Sequence, residues 1–336
     1  MLQKFLEEIV VQVEKEIGIS HRVVTECVLK NNGVEQYSIL IMKEGEHISP
    51  SIYLNQYYEE YQSGKNVETI AKEIVENYYQ CREKKNIFLT EFDLAFSNFK
   101  EKIFYRLVNY KENQKMLETA PYFPFLDLAI TFYCLVEKSE EAIGTLHITN
   151  DLLKEWRVDK KELFKLAMKN TPILFPVEIS TIDEIVGDLL KKDIENLISY
   201  YEYSGLEDNG LEEAKEYFGV VLENLRKNRE VPIYVMTNAT GINGAATLLY
   251  ENVLEQFSCQ CQSDFYILPS SIHEILLIPY NEKFEKKELK NMVNEVNQTQ
   301  VPKEDILSDE VYLYCREGNY LEWKEQKIKR GMIEDY

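Results

Sequence analysis

DFYILPSSIHEILLIP, residues 264–279, holds two apolar runs, DFYILP (264–269) and EILLIP (274–279), separated only by Ser270, Ser271, Ile272 and His273. Two strand-like runs that close can be joined only as a hairpin, because a parallel crossover needs a dozen or more residues. The same reading applies near the start of the chain. There VVTECVLK (23–30) and VEQYSILIM (34–42) flank Asn31-Asn32-Gly33, and Asn-Gly supplies the positive φ angles of a tight turn. Between them, FLDLAITFYCLV (125–136) reads as one central strand, with GTLHIT (144–149) paired beside it. Strands joined locally predict an α+β protein with mainly antiparallel sheets flanked by amphipathic helices, in two or three ββα-like units.

Helices fill the intervals. Leu2, Phe5, Leu6, Ile9, Val10, Val13 and Ile17 recur at helical spacing up to Gly18, and 66–80 repeats the pattern. Asn150 is the expected cap of a short helix ending near Trp156. Asp159 with Glu162 opens a helix that Thr171-Pro172 should end. Ala246, Leu249, Tyr250, Val253, Leu254 and Phe257 form one helical stripe, and 285–297 another. These elements divide the chain into a helix, hairpin and helix unit (1–82), a strand-hairpin and helix unit (83–177), an acidic helical connector (178–230), an α/β unit (231–318) and a loose charged tail (319–336). KIFYRLVNY (102–110) is compatible with strand or helix.

The chain has 336 residues, 38 of them Lys or Arg against 58 Asp or Glu, a net charge of −20. Such acidity excludes a nucleic-acid binder that works through phosphate contacts and disfavours anionic membrane surfaces. Almost half of the excess lies in 178–216, with twelve acids and three lysines, a solvated surface or a contact for a basic partner. The N-terminal helix carries acids among its apolar residues, and no run approaches a membrane span. Cys27, Cys81, Cys134, Cys259, Cys261 and Cys315 lack C-x-x-C spacing. A cytoplasmic protein with free thiols is expected. The four histidines are scattered, so neither a metal nor a cofactor is expected.

Two segments could carry chemistry. After the strand 232–237, a loop containing Asn238, Gly241, Asn243 and Gly244 leads into a helix, a layout that can turn free N–H groups toward an anion. It lacks the Lys-Ser/Thr of a phosphate-binding loop and the spacing of a dinucleotide fingerprint. The second is Pro269 to Glu274, where Ser270 or Ser271 could act as nucleophile and His273 or Glu274 as acid or base. If strands 232–237 and 264–269 are adjacent and parallel, Asn238 and Ser270 meet at one sheet edge. The absence of a nucleophile–base–orienter set favours a non-catalytic binding or regulatory protein with a protein or small-molecule partner. A hydrolase or transferase built from these two segments is the alternative. The 23 tyrosines suit either cores or an interface.

Asn31-Asn32-Gly33-Val34, ISPSIYLNQYYEEYQSG (48–64), DLAITFYCLV (127–136), ITNDLLKEW (148–156), KNTPILFP (169–176), INGAATLLYENVLEQF (242–257), SDFYILPSSIHEILLIP (263–279) and VNQTQV (296–301) together give the chain a family likeness. It resembles an uncharacterised Firmicutes family, a domain of unknown function, over nearly its whole length. PSSIHE and Asn-Gly-Ala are the most specific stretches. Its middle and C-terminal pattern is also similar to the YtpQ-like uncharacterised family, at the level of shared α+β architecture. Neither resemblance implies an activity.

Overall fold

A computed structural model describes residues 1–43, 51–84, 94–138, 143–204, 219, 231–324 and 326–329. The chain divides into two units, Met1–Asn98 and Phe99–Tyr336. In the first, helix α1 (Leu2–Ile17) precedes an antiparallel sheet of β1 (His21–Leu29), β2 (Glu35–Lys43) and β3 (Ser51–Tyr53), followed by α2 (Asn55–Gln62) and α3 (Val67–Lys84). The β1–β2 turn is the expected one, with Asn32 at φ 56° and Gly33 at φ 66°. Phe5, Ile9 and Val13 of α1 meet Ile39 and Ile41 of β2 and Ile70 and Ile74 of α3 in one buried cluster. Within the described residues the third strand begins at Ser51.

The second unit contains two antiparallel sheets. A one-turn helix, α4 (Phe96–Phe99), spans the division. The smaller sheet is β4 (Ile103–Asn109), β6 (Leu128–Lys138), β5 (Tyr122–Phe125) and β7 (Ile143–His147), with α5 (Gln114–Thr119) before β5. KIFYRLVNY is therefore a strand. The run 125–136 is not one strand: the chain reverses at Leu126, whose φ is 57°, so Phe125 ends β5 and Leu128 begins β6. Asp127 pins that turn. Its carboxylate accepts hydrogen bonds from Ser308 (2.6 Å) and from the Tyr312 hydroxyl (2.5 Å).

Next come α6 (Asn150–Trp156) and α7 (Lys160–Leu174). The α6 cap is Thr149 rather than Asn150, since the Thr149 hydroxyl accepts the Leu152 N–H. Asp159 caps α7 as expected, but the helix continues through Pro172. In the last turn few bonds remain for proline to break. The Thr171 hydroxyl donates to Ala167 O, and the Tyr250 hydroxyl donates to Phe175 O (2.7 Å).

The larger sheet runs β14-β13-β12-β10-β11-β9-β8, with neighbours antiparallel. Its strands are β8 (Val177–Thr181), β9 (Tyr234–Asn238), β10 (Phe265–Leu268), β11 (Ile275–Pro279), β12 (Tyr312–Cys315), β13 (Tyr320–Trp323) and β14 (Gln326–Lys329). Among the described residues the helices here are α8 (Ile182–Ser204), α9 (Val253–Cys261) and α10 (Lys286–Thr299). Three expectations change here. Residues 177–181 form a strand paired with β9, so the acidic region contributes to the sheet before α8 begins; most of that region beyond Ser204 lies outside the described residues. The tail does not leave the fold at Gly318, because Leu321 is buried and residues 320–329 form a hairpin on β12. The stripe 246–257 is two elements, a 3-10 turn (Gly244–Leu249) and then α9, separated by extended Tyr250 and left-handed Asn252.

Among the described residues, no helix is long and apolar enough to cross a membrane.

Candidate functional site

Strands β9 and β10 are not adjacent. Strand β11 lies between them and is antiparallel to both. The two therefore point the same way, and the ends that follow them still share one edge of the sheet. Asn238, the PSSIHE segment and the start of β8 meet there.

The loop after β9 is built from its own polar groups. Asn238 is buried; its side-chain oxygen accepts from Thr240 N (2.9 Å) and from the Thr240 hydroxyl (2.7 Å), and its amide donates to Ile242 O. Ala239 N donates to Pro176 O and Gly241 N to Asn238 O. Ile242 N donates to the Thr240 hydroxyl and Asn243 N to His273 Nδ1 (3.3 Å). Every amide from Ala239 to Asn243 thus has an internal acceptor. The expected row of free N–H groups for an anion is not presented, because side chains and neighbouring carbonyls occupy it.

Gly241 has φ +66° and open space around it, so it serves the turn. Gly244 serves packing. A Cβ there would lie under 3.0 Å from Thr237 Oγ1, His273 O and Asn238 N. Thr237 donates to that same His273 carbonyl (2.8 Å). The backbones of β9 and the PSSIHE segment approach so closely that only a residue without a side chain fits.

The PSSIHE segment is laced to residues 305–308. Ser271 bridges to Ile306, Ile272 N donates to Asp305 O, and Leu307 N and Ser308 N donate to Ser270 O and Pro269 O. The Ser271 hydroxyl is buried and accepts the His273 N–H (3.0 Å). With Nδ1 of His273 accepting from Asn243, the neutral ring carries its proton on Nε2, which faces Asp305 Oδ1 at 3.2 Å. This is a carboxylate–imidazole pair, but the nitrogen that would take a proton from a nucleophile is already hydrogen-bonded to backbone. Ser270 and Glu274 are half-buried and carry no side-chain hydrogen bond or ion pair within the described residues. The structure brings together Asn238, Asn243, Gly244, Ser271 and His273, and leaves Ser270 and Glu274 outside that network.

Two openings border this region. A cleft of about 780 Å³ is lined by Phe164, Met168, Pro172, Pro176, Val177, Tyr250 and Val253, with Lys165, Lys169 and Glu251 as its charges. A much smaller cavity lies between β4 and the Asn238–Gly244 loop, lined by Phe104, Tyr105, Arg106, Asn238, Asn243 and Tyr250 among others. Arg106 did not stand out in the sequence. Its signal was a lone cation inside the apolar run IFYRLV. The guanidinium lies 4.1 Å from the Tyr133 ring centre and donates to the Thr145 hydroxyl (3.1 Å), while Nε is sealed from solvent without a partner among the described residues. Burial draws its pKa down, opposed by Tyr133. His147 stacks on the other strand-mate of this face, Tyr133, and burial together with Arg106 lowers it to about 4.

Among the described residues no group of three or more His, Cys, Asp or Glu could hold a metal, and all six cysteines are free. Cys259 is exposed and Cys261 half-buried on α9.

Two sheets with locally joined strands, helices packed on them and an interlocked loop at one edge define an α+β protein. The chain belongs to a family of unknown function (DUF5688), whose model matches residues 2–316. No curated protein and no solved structure matches it.

Proposed function

We propose that this is a bacterial, cytoplasmic, non-catalytic binding or regulatory protein whose partner is a small amphipathic acid held in the cleft beside α7. The observation that carries this reading is the cleft itself. Its volume of about 780 Å³ suits a small molecule, and its wall is mostly apolar. Lys165 and Lys169 stand one helical turn apart on its rim, so the cleft carries a net positive charge on a chain of net −20. An apolar body would pack on Phe164, Met168 and Val253, with its acid between the lysines. The hydrogen-bonded state of His273 and Ser271 supports binding over hydrolysis or group transfer. Six free cysteines support a reducing compartment.

Titration of the whole protein with dodecanoate, followed by calorimetry, tests this. Saturable one-site binding is expected, weakened about tenfold by Lys165→Glu with Lys169→Glu and abolished by Met168→Glu. Absence of saturation, or binding indifferent to both changes, would refute it.

A further inference from the structure

The cleft beside α7 has two walls that join at one end. One wall is α7, where exposed Lys165 and Lys169 accompany half-buried Met168 and Pro172. The other is the segment 250–253, which carries exposed Glu251 and half-buried Val253. Tyr250 joins the walls near the C-terminal end of the helix: its hydroxyl donates to Phe175 O (2.7 Å) and lies 3.4 Å from Thr171 O. Beyond that junction Asn252 takes a left-handed conformation (φ 61°) and turns the chain into α9. The charges of the cleft are thus sorted by wall, two cations on the helix and one carboxylate on the segment that faces it.

A simple fatty acid matches only half of this pattern. Its carboxylate would meet the lysines, but its tail, laid toward the second wall, would bring hydrocarbon against the Glu251 carboxylate. A charge covered by apolar atoms needs a partner. A cationic group on the occupant supplies one. The occupant then has a carboxylate at one end, an ammonium at the other and apolar atoms between. An α-amino acid holds its two charges one carbon apart, too close to serve both walls. A volume of about 780 Å³ implies a width of about 9 Å if the cleft is as wide as it is deep, which two or three extended residues span. The side chains of such a peptide would pack on Phe164, Met168 and Val253.

We propose that the occupant of this cleft is a short apolar peptide with both termini free, its carboxylate between Lys165 and Lys169 and its ammonium at Glu251. This rests on the reading of the cleft as the site of an amphipathic acid and narrows that acid to a peptide.

Calorimetry on the whole protein tests this by comparing the tripeptide Leu-Leu-Leu with its N-acetyl form, with dodecanoate as the reference. The free peptide should bind about three- to fivefold more tightly than the acetylated one, the effect of a single exposed ion pair. Glu251→Gln should erase that ratio and leave dodecanoate binding no weaker. Lys165→Glu with Lys169→Glu should weaken all three ligands. The ratio is measured first on the wild-type protein, so it does not depend on the folding of any variant. Saturation by dodecanoate with equal affinity for the two peptides, or with no peptide binding, would overturn the peptide assignment and leave the acid-binding cleft standing. A ratio that survives in Glu251→Gln would overturn the proposal through its placement of the ammonium. Failure of dodecanoate and both peptides to saturate would overturn the cleft and its peptide together.

Discussion

Gly244 and Gly241 are two glycines of one loop with different reasons to be there. At Gly241 the cost of a side chain is conformational, about 1 kcal/mol for a left-handed residue. At Gly244 a methyl would drive apart Thr237, Asn238 and the His273 carbonyl. Overpacking of this kind costs about 2–3 kcal/mol, so Gly244→Ala should lower the denaturant midpoint at least twice as far as Gly241→Ala. Equal effects would mean that the backbone gives way. His147 makes a second residue-scale prediction. Its pKa is depressed from 6.5 to about 4, so the unfolded chain takes up the proton first as the solution acidifies. The stability contributed by neutral His147 is full above pH 6.5 and is lost as pH falls to 4, about 3 kcal/mol in all. Denaturation of wild type and His147→Gln between pH 7 and 4 should show the variant losing less. The candidate site was partly legible at this scale. Asn238, Asn243 and His273 were singled out because their types and the loop glycines stood together. Asp305, the partner of His273, could not be found, since it lies 32 residues away and only the sheet brings it near. Arg106 was visible as a charge in an apolar strand, but its partners, Tyr133 on β6 and Thr145 on β7, are set by the sheet.

At the scale of elements, helices were recognised by their stripes and missed at their ends. Helix α7 shows why. Asp159 is a local signal, and its side chain accepts Glu162 N at 2.8 Å. Asp159→Ala should cost about 1 kcal/mol, measurable by urea unfolding. At the other end the helix passes through Pro172, whose missing N–H removes only the bond to Met168 O, and just beyond it the Tyr250 hydroxyl, 75 residues from Phe175, donates to the Phe175 carbonyl. Tyr250→Phe should cost about 1–2 kcal/mol by leaving the buried carbonyl of Phe175 unmet. Strand pairing was legible where the turn was short, as at Asn31–Gly33. It was not legible for β8 and β9, whose partners depend on the order of the whole sheet. The hairpin of β13 and β14 was hidden by its lysines and glutamates, which edge strands commonly carry.

For the molecule as a whole, the α+β class followed from hairpins that the sequence displays, whereas the division into units did not. The break falls between Asn98 and Phe99, and residues expected as separate middle and C-terminal regions share one unit. Residues 1–98 contain a complete buried cluster of their own. Expressed alone, they should melt cooperatively, with dispersed amide resonances; a broad, gradual melt would show that the cluster does not suffice.

The clamp on Asp127 has a consequence for biosynthesis. The turn it fixes leaves the ribosome early, but Tyr312 follows 185 residues later. At ordinary rates of translation that is a delay of about 10–40 seconds. Throughout it, the left-handed Leu126 turn lacks the hydroxyl partners that hold its carboxylate. The smaller sheet therefore waits for residues 308–312, and a chain stalled before residue 308 would present that sheet to the cell unfastened.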